Sequence, residues 1–294
     1  NKSLMTNKSF KNTKLNTILG FGTAFVNELI NKHNARTIQD VKHLVHTNKI
    51  KLTHIQELGL KYYKDLHSFI PRDEITYLTN QLKEIINNTN YTMLVSGSYP
   101  SNTKKKSKDI DILIVKHSNN KEKNNIHSGD LYKIINKIKN KIEDINKDEK
   151  INKDEDINEE NNLENISLGD RKFMGLIKSP LSNKMRHLDM RLVTLEELPY
   201  TWLYYSSGRM FNKIIRQKLK QKGYKLNEYG LYKNNKKVKV NSYEKVNSDD
   251  KKVSINIDNT TNKKESKLLN YIKKIEQDIF KIASMDYKSV QERY

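Results

Sequence analysis

Two carboxylates, Asp109 and Asp111, stand one residue apart in the otherwise apolar run "SKDIDILIV", residues 107–115. In a strand, alternate side chains point to opposite faces, so the acids share one face while Ile110, Ile112 and Ile114 line the other. Like charges at that spacing repel. Hard oxygen ligands suit a magnesium ion that keeps several waters and completes its shell from phosphates. Taken alone, the pair fits a solvated edge strand ending in a turn just as well. Two further features bear on it. In "SGSY", Gly97 and Ser98 follow the apolar "MLV" and precede Asp109 by about a dozen residues. A Gly-Ser turn leaving a strand lets backbone N–H groups approach a triphosphate closely. Roughly 80 residues beyond the pair, "HLDMRLV" sets Asp189 in another apolar run, on the same face as Arg191. As a surface feature those two would be a simple ion pair. As a third carboxylate on a neighbouring strand, Asp189 would complete the ligand set for two magnesium ions about 4 Å apart, the arrangement used for in-line nucleotidyl transfer. The order of strand, Gly-Ser turn, acid pair, helix and strand with a third acid points to that chemistry.

The elements that must position these residues are readable in outline. Residues 14–90 have helical spacing, as in "FVNELI" and "ITYLTNQLKEII", broken by Gly20, Gly22, Gly59 and Pro71. From "YTMLVSGSY" onward, short apolar strands replace helices, which makes the chain α+β: a helical subdomain over 1–90, a mixed sheet with helices over 91–198, and a small C-terminal α/β part over 199–294. "LYKIINKIKNKIEDI" carries isoleucines at helix spacing. Beyond it the chain repeats "INKDE", "INKDE", "INEE", too polar to bury. Residues 139–164 contain ten acids and five lysines, and this segment is expected as an acidic insertion in loop form. A second polar insertion is expected at about 238–266, with "VSINI" inside it as a possible strand.

Charge narrows the partners. With 55 Lys+Arg against 35 Asp+Glu, the net charge is +20, and the excess outside the acidic insertion is larger still. That suits a polyanion, nucleic acid first and anionic membrane second. No run approaches the roughly 20 apolar residues of a membrane span, and no signal peptide stands at the amino end. The sequence has no cysteine, which excludes disulfides and thiolate metal sites and fits an intracellular protein. It opens with Asn rather than Met, which suggests a fragment.

The sequence resembles the family X DNA polymerases, the polymerase beta-like enzymes, from about Leu15 to Tyr294. "KFMGLI" (172–177) resembles that family's palm strand, "HLDMRLV" the strand with its third metal-binding aspartate, and "TWLYYSSGRMFNKIIRQKLKQKGYKLNEYGLY" (201–232) its nucleotide-selecting segment. "QDIFKIASMDYKSVQERY" resembles its closing helix and tail, and "ILGFGTAFVNELI" its helix-hairpin-helix, whose glycines let backbone N–H groups grip a phosphate. The resemblance implies template-directed DNA synthesis on a primer 3′-hydroxyl, by short-gap filling in base excision or end-joining repair. Its partners would be gapped or primer-template DNA and deoxynucleoside triphosphates. It also implies a monomer, away from membranes, in the nucleus or a cytoplasmic replication compartment. Asp109 and Asp111 would hold two Mg2+ or Mn2+ ions, Asp189 the catalytic one. Main-chain carbonyls of Asn16, Ile18 and Phe21 would hold Na+ or K+, while Gly20, Gly22, Thr23 and Arg216 would meet DNA. Gly97, Ser98, Lys108, Tyr204, Tyr205, Ser207, Gly208 and Asn212 would contact the nucleotide. Arg191 and Glu228 match positions whose ion pairs change as the enzyme closes. An RNA-tailing or template-independent nucleotidyltransferase, or a catalytically inactive DNA-binding module, are the alternatives.

The sequence departs from the family pattern where the triphosphate is neutralised. The usual basic residue after Gly-Ser is replaced in "GSYPSN", Phe69 stands where an arginine is expected, Lys108 replaces a glycine, and "SSG" replaces Thr-Gly-Ser. Lys104, Lys105, Lys106, Lys108 or Arg72 would then carry that duty, with weaker nucleotide affinity or altered metal dependence expected. The short "KSPLSNKMR" connection favours template-directed over template-independent synthesis. The lyase domain that some members of the family place upstream is not recognisable within these residues, which leaves lyase activity open.

Overall fold

The computed structural model describes residues 14–88, 90–103, 105–117, 126–151, 161–240 and 261–294. The expected "VSINI" strand and Lys104 lie outside the described residues. The chain divides into two compact units, Asn1–Phe69 and Ile70–Tyr294.

In the first unit a 3-10 turn, Lys14–Thr17, leads into four helices: α1 (Thr23–His33), α2 (Ile38–His46), α3 (His54–Lys61) and α4 (Tyr63–His67). Capping boxes start α2 at Thr37 and α3 at Thr53, satisfying amides that a helix start leaves unpaired. Leu15, Ile18, Phe21, Val26, Leu29, Val41 and Leu44 form the core. Gly20 has φ +81°, and a Cβ on Gly59 would stand 2.1 Å from the Leu19 carbonyl oxygen, so both glycines are required where α3 crosses the hairpin.

The second unit is built on a five-stranded mixed sheet in the order β2-β4-β7-β6-β5. The strands are β2 (Tyr91–Val95), β4 (Asp109–Lys116), β5 (Leu163–Leu168), β6 (Lys172–Lys178) and β7 (Met185–Thr194). β4 and β7 run parallel and the other neighbours are antiparallel. A two-residue strand β1 (Ile70–Pro71) pairs with β3 (Lys106–Ser107) ahead of β4. Helices α5 (Arg72–Ile86) and α6 (Asp130–Ile151) cover one face, where Ile75, Leu78, Leu82, Ile134, Ile135 and Ile138 meet Ile110, Ile112 and Ile114. The expected boundary at residue 90 thus falls inside this unit, because the apolar stripe of α5 belongs to the sheet's core. The expected acidic insertion also differs where it is described, while its residues 152–160 lie outside the described residues. Residues 139–151 continue α6, since Ile138 and Ile142 keep its apolar stripe on the sheet, and Leu163–Leu168 forms the edge strand.

The opposite face of β4 changes character along its length: Asp109 and Asp111 first, then buried Leu113 and Val115. Those two pack with Leu94, Val193, Leu198 and Trp202. After the sheet come α7 (Leu198–Tyr205), α8 (Arg209–Gln221) and a small antiparallel sheet of β8 (Tyr224–Asn227), β9 (Gly230–Lys233) and β10 (Lys236–Lys237). Helix α9 (Thr261–Ile282) follows, so the second polar insertion ends in a helix rather than a loop; Ile272, Ile275 and Ile279 bury its inner face. The last turn is a 3-10 helix, Val290–Arg293.

Candidate active site

Parallel pairing sets the three acids. Asp111 on β4 lies opposite Asp189 on β7, and Asp109 opposite His187, so neighbouring strands about 4.8 Å apart carry the carboxylates on one face. Asp109 is exposed; Asp111 and Asp189 are half-buried. Burial, then the charges of Asp109 and Asp189, push Asp111 up to about 7, against the pull of Arg191 and Lys172. Burial raises Asp189 as well, opposed by Lys172. Among the described residues no three His, Cys, Asp or Glu side chains are gathered so as to hold a metal ion. The acids share a face and repel one another without forming a ready-made cage. An all-oxygen donor set with excess negative charge is what a hard divalent cation relieves, so the residues present fit such an ion.

The Gly97–Ser98 turn closes over this face. Gly97 has φ +67°, and a Cβ there would lie 2.1 Å from Asp111 Oδ2. The glycine is therefore demanded by backbone conformation and by the carboxylate behind it, a reason the sequence did not disclose. Ser96 N–H donates to the Asp111 carbonyl at 2.8 Å, tying the turn to β4. Ser98 Oγ and Ser107 Oγ are 3.0 Å apart, and Ser101 Oγ donates to the Ser98 carbonyl at 2.7 Å. Lys108 is exposed. Arg72 is engaged locally: its guanidinium lies 4.0 Å from the Tyr99 ring centroid and donates to the Tyr99 carbonyl at 2.9 Å.

At the end of α7, the Tyr204 and Tyr205 rings meet edge to face at 4.8 Å. Arg216 stacks over Tyr204 at 4.6 Å and Arg191 over Tyr205 at 4.5 Å. Asn212 donates to the carbonyls of Tyr204 at 2.9 Å and Ser207 at 3.1 Å, closing the turn into α8. Ser206 Oγ, Ser207 Oγ and Arg216 Nε are buried with no hydrogen-bond partner among the described residues. Gly208 caps α8, and its N–H donates to the Arg293 carbonyl at 2.9 Å. Arg191 and Glu228 line one small cleft with Arg171, Glu197 and Tyr229. Among the described residues they form no ion pair, while Arg171 and Glu197 pair at 2.9 Å.

In the first unit, Phe21 N–H donates to the Ile18 carbonyl at 3.0 Å, and Gln56 Nε2 to the Gly20 carbonyl at 3.3 Å. Gly22 caps α1 with no side-chain bond, which leaves the first amides of α1, beginning at Thr23, without a side-chain cap. Sequence reasoning missed Lys172 and His187, which adjust the charge on Asp189, and Tyr294, whose hydroxyl reaches Gly97. Lys172 opens the quoted "KFMGLI" run and sits opposite Arg191 in the register. Strand alternation beside Asp189 is the signal that would have found it.

A sheet with three acids on one face, a Gly-Ser turn over them and an aromatic helix end beside them defines a palm of the nucleotidyltransferase type. Residues 69–195 match the family model for the DNA polymerase beta palm, 201–294 the DNA polymerase beta thumb, and 13–67 the fingers domain of DNA polymerase lambda. The chain belongs to the family X DNA polymerases. It is 26% identical to DNA polymerase lambda of Arabidopsis thaliana over 217 residues, 73% of this chain and 37% of that protein. To DNA nucleotidylexotransferase of Xenopus laevis it is 24% identical over 263 residues, 83% of this chain and 49% of that protein. It therefore spans half or less of these curated relatives. Among solved structures, polymerase beta of Leishmania infantum in a ternary P/T complex superposes with a TM-score of 0.68 at 23% identity, covering 95% of this chain and 96% of that one. The same enzyme in a ternary gap complex gives 0.67 at 23% identity, with 96% and 92% covered.

Proposed function

We propose that this chain is a template-directed DNA polymerase that adds deoxynucleotides to a primer 3′-hydroxyl and fills short gaps in DNA repair. The observation that carries the reading is the register of Asp111 against Asp189, with Asp109 next on the same face, beneath the Gly97–Ser98 turn. Asp109 and Asp111 would hold two divalent ions, Mg2+ or Mn2+, and Asp189 the one nearer the primer. Bound there, such ions lower the pKa of the 3′-hydroxyl and neutralise charge on the departing pyrophosphate.

The chain's own residues do the positioning, which is most of the catalysis in a phosphoryl transfer. The amide and hydroxyl of Ser98 hold the triphosphate, while Gly97 lets the backbone come close. Lys108 adds positive charge. Tyr204, Tyr205 and the Ser207–Gly208 turn wall off the sugar, and Asn212 keeps that wall in place. Arg216, released from Tyr204, would reach the nascent pair. Arg191 would exchange its place over Tyr205 for a partner such as Glu228 as the site closes. The new bond joins O3′ to the α-phosphorus as the bond to the β-phosphate oxygen breaks. In the helical unit, Gly20, Gly22 and Thr23 present amides to a DNA phosphate, with Na+ or K+ on the carbonyls of Asn16, Ile18 and Phe21.

The tight β6–β7 turn supports templated synthesis. Ser179 N–H donates to the Lys184 carbonyl at 2.9 Å, and Glu74 binds both Arg186 and Ser182. A short turn tied to α5 leaves the template's place open. The protein would act as a monomer, intracellularly, wherever its DNA lies. The test is extension across a one-nucleotide gap with Mg2+ or Mn2+, using deoxy- and ribonucleotides, beside a single-stranded primer. Addition of the complementary deoxynucleotide on the gap alone is expected; equal addition to the single strand would overturn the templated reading.

A further inference from the structure

Building on the reading that the Gly97–Ser98 turn cradles phosphate, we propose that Tyr294 is a positioning residue that aims the Ser98 backbone amide at the incoming nucleotide by holding the Gly97 carbonyl. The Tyr294 hydroxyl donates to that carbonyl at 2.7 Å and lies 3.4 Å from the Tyr205 carbonyl. A peptide unit is planar, so fixing the C=O of Gly97 fixes the N–H of Ser98 in the opposite direction. Gly97 needs such a hold. With φ +67° and no side chain, it leaves the following peptide more than one orientation. The other hydrogen bonds of the turn act on Ser96 N–H, the Ser98 hydroxyl and the Ser98 carbonyl, none of which belongs to the Gly97–Ser98 peptide.

The phenol is anchored from behind. Arg293 is buried and donates to both oxygens of Glu276 at 2.7 Å, with the rings of Phe211, Phe280 and Tyr287 around it. Its carbonyl receives Gly208 N–H at 2.9 Å. Ser289 and Glu292 form the capping box of the 3-10 turn Val290–Arg293 that carries Arg293 to Tyr294. One short segment therefore joins the start of α8 to the turn over the acids, and the aim of the Ser98 amide is coupled to the place of α8.

The test is Tyr294→Phe, which removes one hydroxyl and keeps the ring. Two measurements are made: the Ser98 amide resonance and its order parameter, followed by NMR without nucleotide, and single-nucleotide gap filling. The variant is expected to shift the Ser98 amide nitrogen, which reports on a bond to the preceding carbonyl, and to lower its order parameter. The KM for deoxynucleotide should rise roughly 3- to 10-fold, the fold-change that one neutral hydrogen bond represents, with kcat within about twofold, DNA affinity unchanged and the thermal midpoint lower by no more than a few degrees. A merely structural role would lower the thermal midpoint or kcat and leave the KM alone, and that result overturns the proposal. So does an unchanged Ser98 amide. If the parent fills no gap, the polymerase reading falls, and the Ser98 amide resonance still decides whether Tyr294 holds the turn.

Discussion

Glu74 and Asp111 are acids on the same unit, and they are handled in opposite ways. Burial pushes the Glu74 carboxyl up, but two bonds from Arg186, at 2.7 and 2.9 Å, and one from Ser182 bring it below the usual carboxylate range. Glu276 in the α8–α9 core is also paired with Arg293, although burial still holds it above the usual range. Among the described residues Asp111 has no such ion pair: Asp109 and Asp189 outweigh the weaker pull of Arg191 and Lys172, and it is pushed up to about 7. Glu74 and Glu276 are each given an arginine, whereas the acids on the β4–β7 face are left with surplus negative charge. At neutral pH that surplus is a cost to the folded chain which a bound cation relieves, and it separates a site from a structural ion pair.

The sharpest way to break the comparison is to remove a member of each group. Asp189→Ala should cut gap filling by roughly 10²- to 10³-fold or more, with DNA affinity and thermal midpoint retained; extension at the parent rate would show that the acids are not catalytic. Arg186→Met should do the reverse, destabilising the protein by about 3–5 kcal/mol because Glu74 is left buried and unmatched. Urea unfolding measures it, and pairing the change with Glu74→Leu should restore most of the loss.

Asp111→Asn tests the surplus charge by pH. A carboxyl raised in the folded state costs nothing below its unfolded value near 3.8, and its cost grows as pH rises toward about 7. The metal-free parent should therefore lose stability between about pH 4 and 7 relative to the variant, and Mg2+ should narrow the gap above pH 7. Parallel stability curves would remove the argument from charge. The smallest effect is expected from Lys105→Ala with Lys106→Ala. These lysines precede Asp109 and are expected to make up for the missing basic residues, and Arg72 is already engaged with Tyr99. The KM for triphosphate should rise about two- to fivefold, less at high salt as screening grows.

Much of this is legible in the amino-acid sequence alone. Strand alternation put Asp109 and Asp111 on one face with Ile110, Ile112 and Ile114 on the other, and the packing agrees. The family resemblance reached the fold and the order of its parts. What sequence could not supply was long-range pairing. The opposition of Asp111 and Asp189 comes from a parallel crossover register, and the Tyr294–Gly97 bond joins residues 197 positions apart. The stretch after Ile142 misled for a physical reason: a polar helix end looks like a loop when its apolar stripe fades while its backbone bonds continue.

The most direct measurement is Mn2+ uptake, followed by electron paramagnetic resonance, on the protein with gapped duplex and a non-hydrolysable deoxynucleotide. The parent should take up Mn2+, and a chain carrying Asp109→Ala, Asp111→Asn and Asp189→Ala should take up none beyond what the nucleotide and DNA bind by themselves. Equal uptake by the two proteins would contradict the claim that these three acids are the ion's site.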